Sequence, residues 1–212
     1  LPKFGILKVY EKKLLWLEID PSGRKSRIII YDIISGNKKY IGSDFDMFYD
    51  YPQIYENKII YAKSSSSSDQ GDIFLYDLNT EQEEPLLIDS SYSDTPRGIF
   101  GNYIIFSRYQ VSPPVSKVVF YLYLYDLNTK TYKKISSSEN SVASAAIWGN
   151  RIVYSTYKTG KYYLYDIVSS TTKNLPIEPP ESVVALYEDK MTLVKSDSNL
   201  IASVFIFDLS NN

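Results

Sequence analysis

Polar turns interrupt the apolar positions of this chain at regular intervals, and the same short pattern returns five times. The stretch Ile54 to Ala62 reads IYENKIIYA: an apolar residue, an aromatic, a two-residue polar turn, one more residue, then a mostly apolar run. Its relatives are VYEKKLLWL from Val9, IFGNYIIFS from Ile99, IWGNRIVYS from Ile147 and LYEDKMTLV from Leu186. The aromatics Tyr10, Tyr55, Phe100, Trp148 and Tyr187 are separated by 45, 45, 48 and 39 residues. A second landmark keeps the same order and nearly the same period: an apolar run ending in aromatic-Asp. It reads IIIYDI, IFLYDL, LYLYDL, YYLYDI and VFIFDL, with Asp32, Asp77, Asp126, Asp166 and Asp208 spaced 45, 49, 40 and 42 apart. Two landmarks in step at a period of 40–50 residues mark five tandem units of a repeat architecture.

Within a unit the apolar runs are short, rich in Ile, Val, Tyr and Phe, and bounded by turn residues, so they read as strands. In the second unit Pro52 to Tyr55 is expected as strand a, Lys58 to Lys63 as strand b, Asp72 to Leu78 as strand c, and Pro85 to Ile88 as strand d. Strands b and c are apolar on both faces, as in sheets covered on both sides. Four antiparallel strands per repeat predict an all-β, five-bladed β-propeller of four-stranded blades, forming one domain over 1–212. The blades are expected over 5–42, 51–88, 95–136, 142–175 and 182–209. The fifth unit offers no strand d, so residues 1–4 are expected to close the ring by pairing with strand c around Val204 to Phe207.

The aspartates that end strands c are the residues most easily over-read as functional. Followed by Leu-Asn-Thr, Ile-Ile-Ser or Leu-Ser-Asn, each suits a turn in which the carboxylate accepts backbone N–H groups two or so residues on. One of the aromatics before them is Phe207, so packing area, with the hydroxyl as a supplement, explains that position. Asn57, Asn102 and Asn150, with Gly101 and Gly149, occupy the a-to-b turns, where positive φ is easily adopted.

Ala146 to Tyr154 (AIWGNRIVY) and Asp72 to Leu78 (DIFLYDL) resemble the blade of the TolB-like propeller family, which reads roughly P-x-I-x-G-N-x-I-V-Y … D-I-Y-L-Y-D-L. The resemblance extends over all five units. It implies a blade and not an activity. The Gly-His and Trp-Asp signature of WD repeats is excluded because the chain has no histidine, and there is no Gly-Gly pair as in Kelch repeats.

Composition narrows the chemistry. Without cysteine or histidine there is no disulfide, thiol nucleophile, zinc finger or Ser-His-Asp triad within these 212 residues. A net charge of −2 spread along the chain argues against a nucleic-acid partner. The longest apolar run, Val118 to Tyr125, is too short to span a bilayer. The chain begins at Leu1 and reads as a piece of a longer protein, with an extracytoplasmic or cell-surface location expected.

The strand-a segments (Ile6 to Val9, Gln53 to Ile54, Arg97 to Ile99, Ser144 to Ile147, Val183 to Leu186) contain no acid, which leaves the d-to-a loops as the place for a site. Asp44, Asp46, Tyr49 and Asp50, joined by Tyr92, Asp94 and Arg97, are the candidate ligand-binding residues. Carboxylates among aromatics could take a protein segment, a glycan or Ca²⁺. For calcium, the Asp44/Asp46 pair lacks the glycine-containing loop of an EF-hand, so neither a metal site nor another cofactor is expected. A solvated acidic rim is the plainer reading of the same residues. The function expected is a non-catalytic binding or scaffold module, with no catalytic residue assigned. A carbohydrate-active enzyme or lectin using these loops, and a structural part of a surface filament or assembly, are the rivals.

Overall fold

The computed structural model describes residues 3–23, 25–42, 48–64, 71–111, 118–136, 141–157, 159–177, 182–196 and 202–211. Nearly all of its regular structure is β, in five antiparallel sheets that are the five blades of a β-propeller. The first sheet contains β1 (Lys3–Tyr10), β2 (Lys13–Ile19), β3 (Ser26–Asp32) and β4 (Lys38–Ile41), hydrogen-bonded in chain order. The second contains β5 (Phe48–Tyr55), β6 (Lys58–Ser64), β7 (Asp72–Asp77) and β8 (Gln82–Leu87) in the same order. The third contains β9 (Tyr92–Phe100), β10 (Tyr103–Gln110), β11 (Tyr121–Asp126) and β12 (Thr131–Lys134). The fourth is β13 (Val142–Trp148), β14 (Arg151–Thr156), β15 (Tyr162–Asp166) and β16 (Thr171–Leu175). The fifth, among the described residues, has three strands: β17 (Ser182–Tyr187), β18 (Lys190–Ser196) and β19 (Ala202–Asp208).

By contact density the chain divides into two compact units, residues 1–99 with 108–116, and residues 100–107 with 117–212. The first and second sheets lie wholly in the first unit, the fourth and fifth wholly in the second. In the first unit Leu15, Leu17, Ile28 and Ile30 pack with Ile54, Ile59 and Tyr61 of the neighbouring sheet. In the second unit Tyr162, Leu164 and Leu175 pack with Leu186, Met191 and Leu193 in the same way. The doubly apolar strands of the sequence therefore have a cause: within each unit a sheet presents apolar residues of its strands to the neighbouring sheet as well as to its own strands' partners.

The repeated aromatics at the ends of strands a stack on one another within each unit. Tyr10 and Tyr55 have ring centroids 5.2 Å apart. Trp148 lies 4.7 Å from Phe100 on one side and 4.3 Å from Tyr187 on the other. Tilted pairs at such distances contribute about 0.5–1.5 kcal/mol each beyond their buried area.

The strand-c aspartates make the expected turns in all five sheets. Asp77 Oδ1 accepts the N–H groups of Asn79 and Thr80 at 2.7 and 3.1 Å, and Asp32, Asp126, Asp166 and Asp208 accept equivalent bonds. A second repeated bond joins this turn to the a-to-b turn. The residue after each aspartate (Ile33, Leu78, Leu127, Ile167 or Leu209) donates its N–H to the carbonyl of Lys12, Asn57, Asn102, Asn150 or Asp189. In the second sheet the Asn57 side chain adds a 2.8 Å bond to Asp77 Oδ2. In the a-to-b turns the positive φ falls on the first turn residue, Gly101 and Gly149 in two sheets but Glu11, Glu56 and Glu188 in the others. Turn geometry thus prevails over the preference of a side-chain-bearing residue for negative φ.

The carboxylates gain from these bonds. The N–H and hydroxyl of Ser35 hold Asp32 below its usual pKa, and those of Ser169 do the same for Asp166. Partial burial raises Asp77, but the bonds from Thr80, Asn79 and Asn57 outweigh it and leave its pKa lowered. A carboxylate with a lowered native pKa adds stability that is present above its unfolded value, about 3.9, and lost as pH falls through the native value. Asp77→Ala and Asp126→Ala are each expected to destabilise by about 0.5–2 kcal/mol at neutral pH, as for a lost side-chain cap. For Asp77→Ala the difference from the parent should begin to shrink as pH falls below about 4, where the unfolded carboxyl takes up its proton, and go on shrinking as pH falls through the lower native pKa. Urea melts at pH 7 and pH 3 measure both; a penalty for Asp77→Ala equal at the two pH values would contradict the assignment.

Two expectations from sequence are corrected. Lys3 and Phe4 open β1, opposite Ile19 and Glu18 of β2, so they are not a separate closing strand; Leu1 and Pro2 lie outside the described residues. Strands a also begin earlier than the apolar pattern indicates, at Phe48 in β5 and Tyr92 in β9. This places Asp50 and Asp94 on strands a, which were expected to be free of acids. The antiparallel ladder, with Phe48 opposite Ser64, Tyr49 opposite Lys63 and Asp50 opposite Ala62, overrides the turn character of these polar residues.

Candidate functional site

The extended strands carry a repeated irregularity. β1, β5, β13 and β17 each insert one extra residue opposite their partner, between Gly5 and Leu7, Asp50 and Gln53, Val142 and Ser144, and Val183 and Ala185. Such bulges re-aim side chains. In β5 the bulge contains Tyr51, which takes a positive φ of 49° and remains 40% exposed. A tyrosine held in the left-handed region costs about 1–3 kcal/mol, a strain that recurs at ligand sites.

Beside this bulge, in the first unit, lies a cleft of about 340 Å³. Its walls come from β5 (Phe48, Asp50, Tyr51), the facing end of β6 (Ala62, Ser64), Gly71, and the start of β9 (Ser93, Asp94, Thr95), with Gly23 at the rim. Asp50 is exposed, and its Oδ1 accepts the Tyr51 N–H at 2.8 Å. Despite that exposure, local crowding desolvates the carboxyl and raises its pKa, the Tyr51 bond opposing. The Arg97 guanidinium stands 5.9 Å from the Tyr51 ring centroid.

Asp94 plays a different part. It is 2% exposed, and both of its oxygens accept from Arg108, Nε to Oδ1 and Nη2 to Oδ2, each at 2.7 Å. The same guanidinium lies 4.8 Å over the ring of Tyr92. Burial pushes the Asp94 carboxyl upward, and the bidentate Arg108 opposes it. Asp72 and Asp89 add negative charge nearby: Asp72 accepts the Asp89 N–H at 3.3 Å and is also raised by burial. Among the described residues no group of three or more carboxylates converges as a metal site.

Of the residues singled out from sequence, the cleft brings together Asp50 and Asp94, with Arg97 against Tyr51 and Tyr92 against Arg108. Tyr49 is core: it is 4% exposed, its ring lies 5.5 Å from that of Tyr61, and its backbone N–H and C=O both bond the Ser26 hydroxyl. A Cβ on Gly42, whose φ is +79°, would run into the Tyr49 ring, so that turn needs glycine twice over. Asp44 and Asp46 lie outside the described residues. Sequence reasoning missed Arg108. The signal for Arg108 was a lone charge inside the apolar run of β10, which an interior accepts only with a partner. Tyr51 stands among the carboxylates of the loop read from sequence, but its bulge, a property of strand pairing, carried no signal.

No protein-family model matches the chain, and no curated protein matches its sequence. Solved structures do match its fold. TolB from Acinetobacter baumannii is 16% identical, with a TM-score of 0.61 over 93% of this chain and 49% of its own. The Pyrococcus horikoshii acylaminoacyl peptidase is 12% identical, with a TM-score of 0.68 over 98% of this chain and 38% of that one. A chain of a nidogen/laminin complex is 11% identical, with a TM-score of 0.67 over 94% of this chain and 73% of its own. This chain therefore spans half or less of the TolB and peptidase chains, and at such identities the likeness is one of fold. What the chain shares with TolB and with these other proteins is the β-propeller.

Proposed function

We propose that the chain is a non-catalytic binding module of a larger secreted or cell-surface protein, and that it takes a cationic side chain of a protein ligand in the cleft of its first unit. The observation that carries this reading is the pairing of an exposed carboxylate, Asp50, with the exposed ring of Tyr51 at a strained bulge. A lysine or arginine entering there would meet a carboxylate and an aromatic face, both of which attract cations. Negative charge on Asp50, Asp72 and Asp89 supports the same sign of ligand.

A carbohydrate-active enzyme is the second reading, favoured by the same exposed tyrosine, on which a sugar could stack. Glycoside hydrolysis requires two carboxyl groups free to act on the substrate. In this cleft Asp94 is already engaged by both Arg108 bonds. That favours binding over carboxylate-pair catalysis.

The test is a peptide array containing Lys- and Arg-bearing sequences beside a glycan array, probed with the parent chain, Asp50→Asn and Tyr51→Ala. Loss of one charge-assisted contact is about 1.5–3 kcal/mol, or roughly 10–100-fold in affinity. Basic peptides should bind, and Asp50→Asn should weaken them by that factor without lowering the melting temperature. Binding to neutral glycans alone, or glycoside hydrolysis abolished by Asp50→Asn, would replace this reading with the second one.

A further inference from the structure

The sheets are copies of one pattern, so a residue can be compared with the one at the same place in another sheet. Lys39 on β4 lies opposite Ile30, two before the turn aspartate of its sheet, and Lys133 on β12 lies opposite Leu124, again two before. Each lysine reaches the c-to-d turn of the following sheet within its own unit. There the fourth residue after the aspartate is Glu81 in one unit and Ser170 in the other, and both take a left-handed φ, 57° and 55°. Strand position and backbone agree between the two places, but the side chains do not.

In the first unit Lys39 Nζ meets Glu81 Oε1 at 2.8 Å, an ion pair that joins consecutive sheets. In the second unit Lys133 Nζ donates to Ser170 Oγ at 3.0 Å and stands 5.6 Å from the ring centroid of Tyr165. Among the described residues Lys133 has no ion-pair partner. A serine ends at its hydroxyl where a glutamate continues to a carboxylate, so this place keeps the cation of the pair without its anion.

A cleft of about 260 Å³ opens beside this lysine, and its lining lies wholly in the second unit. Its walls include Tyr103, Leu124, Asp126, Thr131, Lys133 and Ile167. The buried Leu124 and Ile167 supply an apolar floor. Asp126, whose Oδ1 accepts the Asn128 N–H at 2.8 Å, adds a negative charge at the other side of the mixture. That charge disfavours a dianionic phosphate and suits a ligand with one carboxylate beside N–H donors, the make-up of an acidic residue in a peptide. The volume falls just under the range of about 300–1,000 Å³ for sites that enclose a whole small molecule.

We propose that this cleft receives an acidic side chain of a partner protein, its carboxylate meeting Lys133 as Glu81 meets Lys39. The methylene groups of the ligand cover Leu124 and Ile167, and Asp126 accepts an N–H beside the acid. The site is separate from the cleft of the first unit and does not rest on the reading given for that one.

The probes are acetylated, amidated peptides bearing Glu or Asp, each beside its Gln or Asn counterpart. They are titrated against the 212-residue chain and against Lys133→Gln, Ser170→Glu and Lys39→Gln. The parent should prefer the acidic peptides by about fivefold, the upper end for an ion pair near a protein surface. Lys133→Gln should lose that preference. Ser170→Glu should lose it too and melt no lower than the parent, because its own carboxylate then pairs with Lys133 while every lysine stays in place. Lys39→Gln should keep it. Equal binding of acidic and amide peptides to the parent overturns the proposal, as does a preference that survives both Lys133→Gln and Ser170→Glu. Binding of uronic-acid glycans in place of acidic peptides overturns it as well.

Discussion

Arg108→Ala is expected to lower the folding free energy by about 3–5 kcal/mol, the usual consequence of removing one partner of a buried ion pair. Arg108 is 4% exposed on β10 and Asp94 2% exposed on β9, and the two share a pair of 2.7 Å bonds. The guanidinium cannot discharge itself, so in the parent it needs Asp94 as much as Asp94 needs it. Without Arg108, the buried carboxylate loses its counter-charge while the negative charge of Asp72 and Asp89 remains nearby. Its native pKa should then rise further, and a raised carboxyl favours the native state when protonated. The penalty of Arg108→Ala should therefore be largest at neutral pH and should diminish as pH falls toward about 4, the unfolded value. Urea denaturation across that range is the measurement. A second variant, Asp94→Asn/Arg108→Met, removes both charges and should recover a large part of the loss, since an apolar replacement of a buried pair is often close to neutral. A loss under about 0.5 kcal/mol for Arg108→Ala, the level of a plain surface substitution, would mean that the pair is hydrated in solution.

The second large effect is expected at Tyr61. This residue is fully buried on β6, with its ring 5.5 Å from Tyr49 and stacked at 6.3 Å on Phe74. It joins the cores of the first and second sheets. Its hydroxyl donates to Glu83, which also holds Lys63 at 2.6 Å. Burial, with Glu83 alongside, pushes the phenol pKa well above its usual value, so the hydroxyl stays a donor. Tyr61→Ala should cost about 3–5 kcal/mol, as for other large aromatics deleted from a core. Tyr61→Phe should cost less, about 1.5 kcal/mol, the lower end for a hydrogen bond to a charged group, since Glu83 keeps Lys63 as a partner. Thermal melts of the two variants separate the contributions of ring and hydroxyl. Equal losses would show that the Glu83 bond, and not the packing, holds the two sheets together at this point.

The sequence by itself determined what rests on local chemistry. The aspartate turns needed only a carboxylate two or three residues before free N–H groups. The five strand sets needed only apolar runs and polar turns at a steady interval, and the aromatic stack followed from one ring per repeat in one place. The tertiary structure decided what depends on partners distant in the chain. Phe48 and Asp50 became strand because Ser64 and Ala62 lay opposite them, although their own neighbours read as a loop. Tyr49, expected at a binding rim, entered the core because Ser26, 23 residues earlier, satisfies its backbone and Tyr61 receives its ring. Asp94 changed from a free ligand group into half of a buried pair because β10 brings Arg108 back across it. In each case burial depended on contacts that a strand's own residues do not contain.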